Sequence, residues 1–264
     1  MSFLAASRTP SRRLLHARDL LYELVVRDMK LRYKRSFLGV LWTLVNPLLQ
    51  LFVYDFVFRV LFQVKTPNYT VYLFIGITSW NWFQISVLEA TGAILSNPDL
   101  IRQPGFPTAI LPNVTVGSHL VHFLITLPIL FGLVIYNGIP LTLAILWLPV
   151  VILIQYVMIL GFALIGACLH VRFRDTQYLL SVFLMLGFFL TPVLYELSMV
   201  PERYHRYYRM NPMTHVVDSY RAILMRGESP NLNALVLLAG GGAVLLGLAY
   251  LLFHRASANF VEEL

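Results

Sequence analysis

Six stretches of this chain are long and apolar enough to cross a lipid bilayer as helices, and they constrain it more than any motif. They fall at residues 36–62, 69–95, 113–136, 141–169, 178–197 and 232–253. A helix needs about 20 apolar residues to span the hydrocarbon core. The runs are apolar on every face, without the alternation of a transmembrane barrel strand. An all-α integral membrane fold follows. Composition agrees, because 58% of the 264 residues are apolar and only 12% are charged. That leaves too few charges to keep a soluble domain dispersed, and it excludes a soluble enzyme, a disordered tail or a disulfide scaffold. Cys168 stands alone in an apolar run, so it can form neither an intramolecular disulfide nor a CxxC site and reads as a packing residue.

Six crossings put both termini on one side, and the basic residues say which. With the N-terminus cytoplasmic, 13 of the 20 Lys and Arg lie inside, nine of them in the first 35 residues. The other seven include Arg203, Arg206, Arg209, Arg221 and Arg226, an Arg-rich stretch between spans five and six that runs against the rule. The first loops usually dominate, so both termini are expected to be cytoplasmic.

The N-terminus lacks the short apolar core and small-residue cleavage site of a signal peptide. Instead, Arg12, His16, Asp19, Glu23, Arg27 and Lys30 recur at helical spacing, with Leu14, Leu21, Leu24, Val25 and Met29 on the opposite side. Such a helix lies in the interface plane with its cations at lipid headgroups rather than at nucleic acid, although a plain topology anchor would use the same residues. The chain therefore divides into an interface segment (1–35), a six-span region (36–253) and a cytoplasmic tail (254–264), all within one membrane domain.

Two short loops face the cytoplasm. Asn97-Pro98-Asp99 reads as an N-cap and N1 proline opening a short helix through Arg102. The second loop, residues 170–176, carries Arg172, Arg174 and Asp175. On the outer side, Thr191-Pro192 breaks the fifth span and Asn211-Pro212 again reads as cap plus N1. Val216, Val217, Tyr220, Ile223 and Leu224 then form an apolar stripe. Two short helices that dip back into the membrane are expected between spans five and six, where protein must satisfy any irregular backbone.

Catalytic patterns are scarce. No GxxxxGK[ST], HExxH, GxSxG or EF-hand pattern is present, so the chain has no P-loop for a nucleotide and no cofactor or metal motif. Ionisable groups inside spans are costly and draw attention to function. Asp55 and Arg59 are four apart, which an intrahelical ion pair explains without a transport role. Glu89 has no basic residue within one turn. It is either a proton relay or, the better fit for a lone carboxylate, a group near the cytoplasmic interface bonded to a neighbouring helix. His119 and His122 share a face, but two histidines alone rarely make a metal site. Trp80 and Trp82 lie deep enough to pack or to line a cavity.

Tyr33 and Phe37 share a face where the interface helix meets span one. Tyr195, Tyr204, Tyr207 and Tyr208 cluster at the outer end among Arg203, Arg206 and Arg209. Aromatic faces suit sugars and Arg forks suit phosphate or carboxylate, while an interfacial belt with snorkelling arginines is the plainer account. Ala239, Ala243 and Gly247 in the sixth span predict a close helix approach, within one chain or between two.

The order of several short motifs then becomes recognisable. Residues 26–42 (VRDMKLRYKRSFLGVLW) with Asn46-Pro47-Leu48, Phe106-Pro107, Ile110-Leu111-Pro112, Arg172-Phe173-Arg174-Asp175, Thr191-Pro192-Val193 and Asn211-Pro212-Met213-Thr214 follow one another in register with six spans. The chain, from about residue 24 to 224, resembles the membrane subunits of type-2 ABC polysaccharide exporters. The resemblance implies a homodimer in the bacterial cytoplasmic (inner) membrane, joined to two copies of a separate ATPase that binds the ATP and Mg. It implies an interface helix at 14–29, a coupling helix within 97–110, and a re-entrant outer gate at 198–224. The coupling surface would draw on Asn97, Asp99, Arg102, Arg172, Arg174 and Asp175. The substrate would be a lipid-linked glycan of the O-antigen, capsule or teichoic acid kind. Its pyrophosphate would meet Arg32, Lys34 and Arg35, and its sugars would pass Tyr33, Phe37 and the outer tyrosines. Rival readings are a type-2 exporter of another lipid or drug, an ion-coupled secondary transporter relying on Glu89 or Asp55–Arg59, and a membrane-embedded glycan-modifying enzyme.

Overall fold

A computed structural model describes residues 10–34 and 39–263, and among them every regular element is helical. Arg35 and Phe37 lie outside the described residues. The first helix, α1 (Pro10–Arg32), is followed by α2 (Trp42–Asp55), which is extended by a 3-10 turn before it and a π-wound segment, Phe56–Leu61, after it. Next come α3 (Tyr69–Gly92), the four-residue α4 (Pro98–Ile101), α5 (Ile110–Tyr136) and α6 (Leu148–Arg172). The chain continues through α7 (Thr176–Phe189), α8 (Glu202–Met210), α9 (Pro212–Arg221), α10 (Leu232–Ala256) and a terminal turn, α11 (Phe260–Glu263).

Among the described residues, five helical stretches are long and apolar enough to cross a membrane: Gly39–Leu61, Tyr69–Gly92, Ile110–Tyr136, Leu143–Arg172 and Leu232–Ala256. The run expected at 178–197 yields a helix of only 14 residues, α7. At 1.5 Å per residue it reaches about 21 Å, short of the roughly 30 Å hydrocarbon core. The break falls at Thr191-Pro192, where the proline withholds a donor.

The hub is α3. Of its most apolar window 78% is buried, against 6% for the first span. Phe74, Ile75, Ile77 and Val87 of α3 join Val116 and Phe123 of α5, Ile159 of α6, and Val216 and Tyr220 of α9 in the main core. A second core, at one end, gathers Ile101 of α4, Leu111 of α5, Val171 of α6, Phe253 of α10 and Phe260. Leu20, Leu21, Leu24 and Val25 of α1 rest on it, while Glu23, Arg27 and Lys30 are exposed. The amphipathic reading of α1 thus matches its packing over residues 19–30.

Glycines set the closest approaches. A Cβ on Gly166 of α6 would clash with Thr91 Oγ1 of α3, and one on Gly161 would stand 2.8 Å from Leu245 of α10. Ala239, Ala243 and Gly247 of α10 are exposed, so the close approach expected at this stripe is not made within the chain. Gly242 faces α6 instead, beside Leu235, Leu238 and Ala249. Periodicity identified a small-residue face but not which face α6 would cover.

Candidate functional site: a polar cavity at the head of the interfacial helix

The last turn of α1 delivers Arg32 to the bundle. Its Nη2 donates to Glu89 Oε2 at 2.8 Å and its Nη1 faces Glu89 Oε1 at 3.4 Å. Asp28, one turn back on α1, lies 3.6 Å from the same guanidinium. Burial alone would lower the Arg32 pKa, but the hydrogen bond and charge of Glu89 outweigh it and hold the pKa above its ordinary value. Glu89 Oε2 is also 2.9 Å from Nε2 of the buried His119 on α5. One turn along α5, His122 Nε2 pairs with the Tyr33 hydroxyl at 2.8 Å. Burial pushes the Tyr33 phenol pKa up, against the pull of Arg32. Arg32, Glu89, His119, His122 and Tyr33 therefore knit α1, α3 and α5 together through five side chains.

This knot forms one wall of a cavity of about 380 Å³ between α1, α2, α3 and α5. Trp42, Asn46, Asn81, Trp82 and Thr126 line other parts of it. Trp82 stacks on Phe123 with ring centroids 4.8 Å apart, and its buried indole N–H has no hydrogen-bond partner among the described residues. Asn81 Nδ2 donates to Gln50 Oε1 of α2 at 2.7 Å, fixing the amide at the rim. Indole faces beside amide and hydroxyl groups make a surface that can stack on a sugar ring and hydrogen-bond its hydroxyls. Glu89 turns out to be bonded to neighbouring helices. Sequence spacing showed His119 and His122 on one face but not their partners, which lie on α1 and α3.

The remaining candidates fall in three places. Lys34 is exposed just past α1, whereas Arg32 is already engaged by carboxylates. Asp55 and Arg59 form an intrahelical pair at 3.7 Å, and Thr70 donates to Asp55 at 2.8 Å, strapping the first span to α3. At the far end of the bundle, Tyr195 and Tyr208 join through their hydroxyls at 2.8 Å. Tyr204 lies under Arg203 at 4.6 Å and Tyr207 is exposed, so these two do not join that pair.

At the α1 end, Asp99, Arg102, Arg172, Arg174 and Asp175 are all exposed beside the second core. Pro98 occupies the start of α4 as expected, but Asn97 makes no cap hydrogen bond. Its amide instead donates back to Ala93 O at 2.9 Å, because the residue first has to close the turn that ends α3. The Asn211-Pro212 pair does cap: Asn211 Oδ1 accepts from Met213 N at 3.0 Å. Asn231 does the same for α10, from Ala234 N at 3.2 Å, a cap that sequence reading passed over.

Comparison with known proteins bears on this arrangement. The chain is 37% identical over 255 residues to an O-antigen export system permease protein RfbA of Myxococcus xanthus, covering 96% of this chain and 98% of that one. It is 32% identical over 247 residues to an RfbA of Klebsiella pneumoniae, covering 93% and 95% respectively. A polysialic acid transport protein KpsM of Escherichia coli is 24% identical over 222 residues, covering 81% of this chain and 85% of that protein. Residues 19–225, which include α1 from Asp19 onward and the residues lining the cavity, match the ABC-2 type transporter family, and the chain is a multi-pass membrane protein belonging to it.

Proposed function

We propose that the chain is the permease subunit of an ATP-driven exporter that moves a lipid-linked polysaccharide out across the cytoplasmic membrane. The observation that carries this reading is the cavity at the head of α1. It combines two indoles, amides and hydroxyls with a cation-bearing rim at the level where an interfacial helix meets headgroups. The permeases named for O-antigen export, aligned over nearly the full chain, point to the same cargo.

In this reading the two copies of the chain assemble with two copies of an ATP-binding subunit, which carries the ATP and Mg. The chain contains no GxxxxGK[ST] of its own. The exposed charges around α4 and the α6–α7 turn, from Asn97 to Arg102 and from Arg172 to Asp175, offer the docking surface for that subunit. The polymer's pyrophosphate end approaches Lys34 and Arg35, with Arg32 set back against Glu89. Its sugars then stack past Tyr33 and Phe37 and leave near Tyr195, Tyr204, Tyr207 and Tyr208. Flat aromatic faces suit this passage, because stacking tolerates many sugars without a fixed hydrogen-bond register. The membrane is crossed six times, with the unwound residues after α7 completing the fifth crossing and α8 and α9 re-entering from outside. Both termini are then cytoplasmic.

The carboxylates that an ion-coupled transporter would need are engaged, Glu89 by Arg32 and His119, and Asp55 by Thr70 and Arg59. The test is complementation of a cell lacking its own O-antigen permease, with surface glycan measured by immunoblot. The Tyr33→Ala, Phe37→Ala double variant is expected to cut surface glycan by about tenfold or more while still co-purifying with the ATP-binding subunit. Undiminished glycan in that variant would remove the aromatic path from the proposal.

A further inference from the structure

After Phe189 the chain leaves the helix, yet Thr191, Val193 and Leu194 are almost fully buried. Four successive carbonyls here have no helical partner, and side chains from other elements take every one. Arg221 of α9 donates to Pro192 O at 2.6 Å through Nη1 and to Val193 O at 2.9 Å through Nη2. Tyr69 of α3 donates to Leu194 O at 2.6 Å, and Tyr72 donates to Tyr195 O at 2.6 Å. Asn211, at the start of α9, adds a bond to Thr191 Oγ1 at 2.8 Å.

Arg221 is the unusual member. It is 5% exposed and forms no ion pair among the described residues; Asp218, one turn back, is taken by Arg226 at 3.0 Å. A guanidinium cannot shed its proton, so its buried charge must be met by something other than a carboxylate. The three carbonyls do this, with Tyr72 O the third at 3.3 Å, and the Tyr72 ring lies 3.3 Å from the guanidinium carbon. Gly76 makes room, since a Cβ there would sit 2.9 Å from Nη2 and 3.0 Å from Val193 O. Arg221 also borders an outer cavity of about 900 Å³; three of its five N–H groups donate to backbone carbonyls, and its buried Nε has no partner among the described residues. The bonds to three carbonyls on two segments give it the geometry of a clamp.

We propose that Arg221 is a positioning residue: it locks the unwound end of the fifth helix to α3 and α9, so that these three move as one body during transport. The proposal rests on the membrane-crossing reading above, but its main readout does not depend on the cargo.

The full-length chain with Cys168→Ala, in proteoliposomes, carries a single probe, either Leu194→Cys at the clamp or Ile159→Cys in the core of α6. Labelling by a membrane-impermeant maleimide reports local opening. Arg221→Met is expected to raise labelling at position 194 by about tenfold and leave position 159 unlabelled. Arg221→Lys, which keeps the charge but not the planar fork, is expected to fall between the two. Gly76→Ala is expected to open position 194 without altering Arg221 itself. Position 194 staying closed in Arg221→Met overturns the proposal. If Arg221→Met labels both positions, it has unfolded, and Arg221→Lys and Gly76→Ala decide: opening at 194 alone supports the clamp, and no opening at 194 overturns it. Loss of glycan export together with opening at 194 ties the clamp to transport. Opening at 194 with normal export refutes the transport role and leaves the exporter reading standing.

Discussion

Glu89 sits where three helices meet, and its carboxylate serves two cations or donors at once. Its side chain is 42% exposed and that of Arg32 is 30% exposed, so solvent screens the pair and discounts its Coulomb energy. A double-mutant cycle of Glu89→Gln and Arg32→Gln is therefore expected to give a coupling of about 1 kcal/mol by thermal unfolding of the purified chain. Fully additive single variants would mean that α1 is held by its apolar face alone. Export is expected to suffer more than stability, because the pair shapes the rim of the cavity. Sequence reading reached Glu89 as an ionisable group bonded to some neighbouring helix, and it reached Arg32 as a phosphate contact. That these two bond each other was hidden, since they lie 57 positions apart and no periodicity links them. The same holds for Tyr33 and His122, which are 89 apart.

Elements were legible where a local chemical rule acts alone. The apolar runs gave the positions of most long helices, Thr191-Pro192 gave the break after α7, and Asn211-Pro212 gave the start of α9. Asn97-Pro98 has the same two letters but closes the four-residue turn after α3, and its side chain bonds backwards to Ala93 O. Context outside the dipeptide decided between the two. Which face of a helix is covered was equally illegible, as the bare Ala239, Ala243 and Gly247 stripe shows. Among the glycines, the tightest site is Gly166 against Thr91, between α6 and α3. Gly166→Ala forces a methyl group onto Thr91 Oγ1, and is expected to destabilise by about 1–3 kcal/mol as overpacking does. Adding Thr91→Ala removes the obstacle, and also the hydroxyl's bond to Val87 O at 2.8 Å. The double variant should recover most of the lost melting temperature. A double variant no more stable than Gly166→Ala would show that the α3–α6 spacing is set elsewhere.

Across the whole molecule, burial is lopsided in a way that bears on assembly. The second and most buried span, α3, carries the inner wall of the cavity, while the first span, which closes the cavity on its outer side, is nearly bare. Phe52, Val53 and Phe56 of that span project outward. The bare face of α10 carries Val236, Leu237 and Val244, aliphatic groups that suit lipid tails. A glycan chain needs a hydrated route, and in a homodimer the route between two copies must pass the side on which the polar cavity lies. The first span should therefore face the second copy, and α10 should face lipid. In a Cys168→Ala background, Phe52→Cys is expected to give an oxidised dimer on a non-reducing gel, and Val236→Cys is not. The reverse pattern would put the copies back to back, with each cavity turned toward lipid. A route between subunits would then be untenable, and the polymer would have to pass through a single chain whose core is filled by α3.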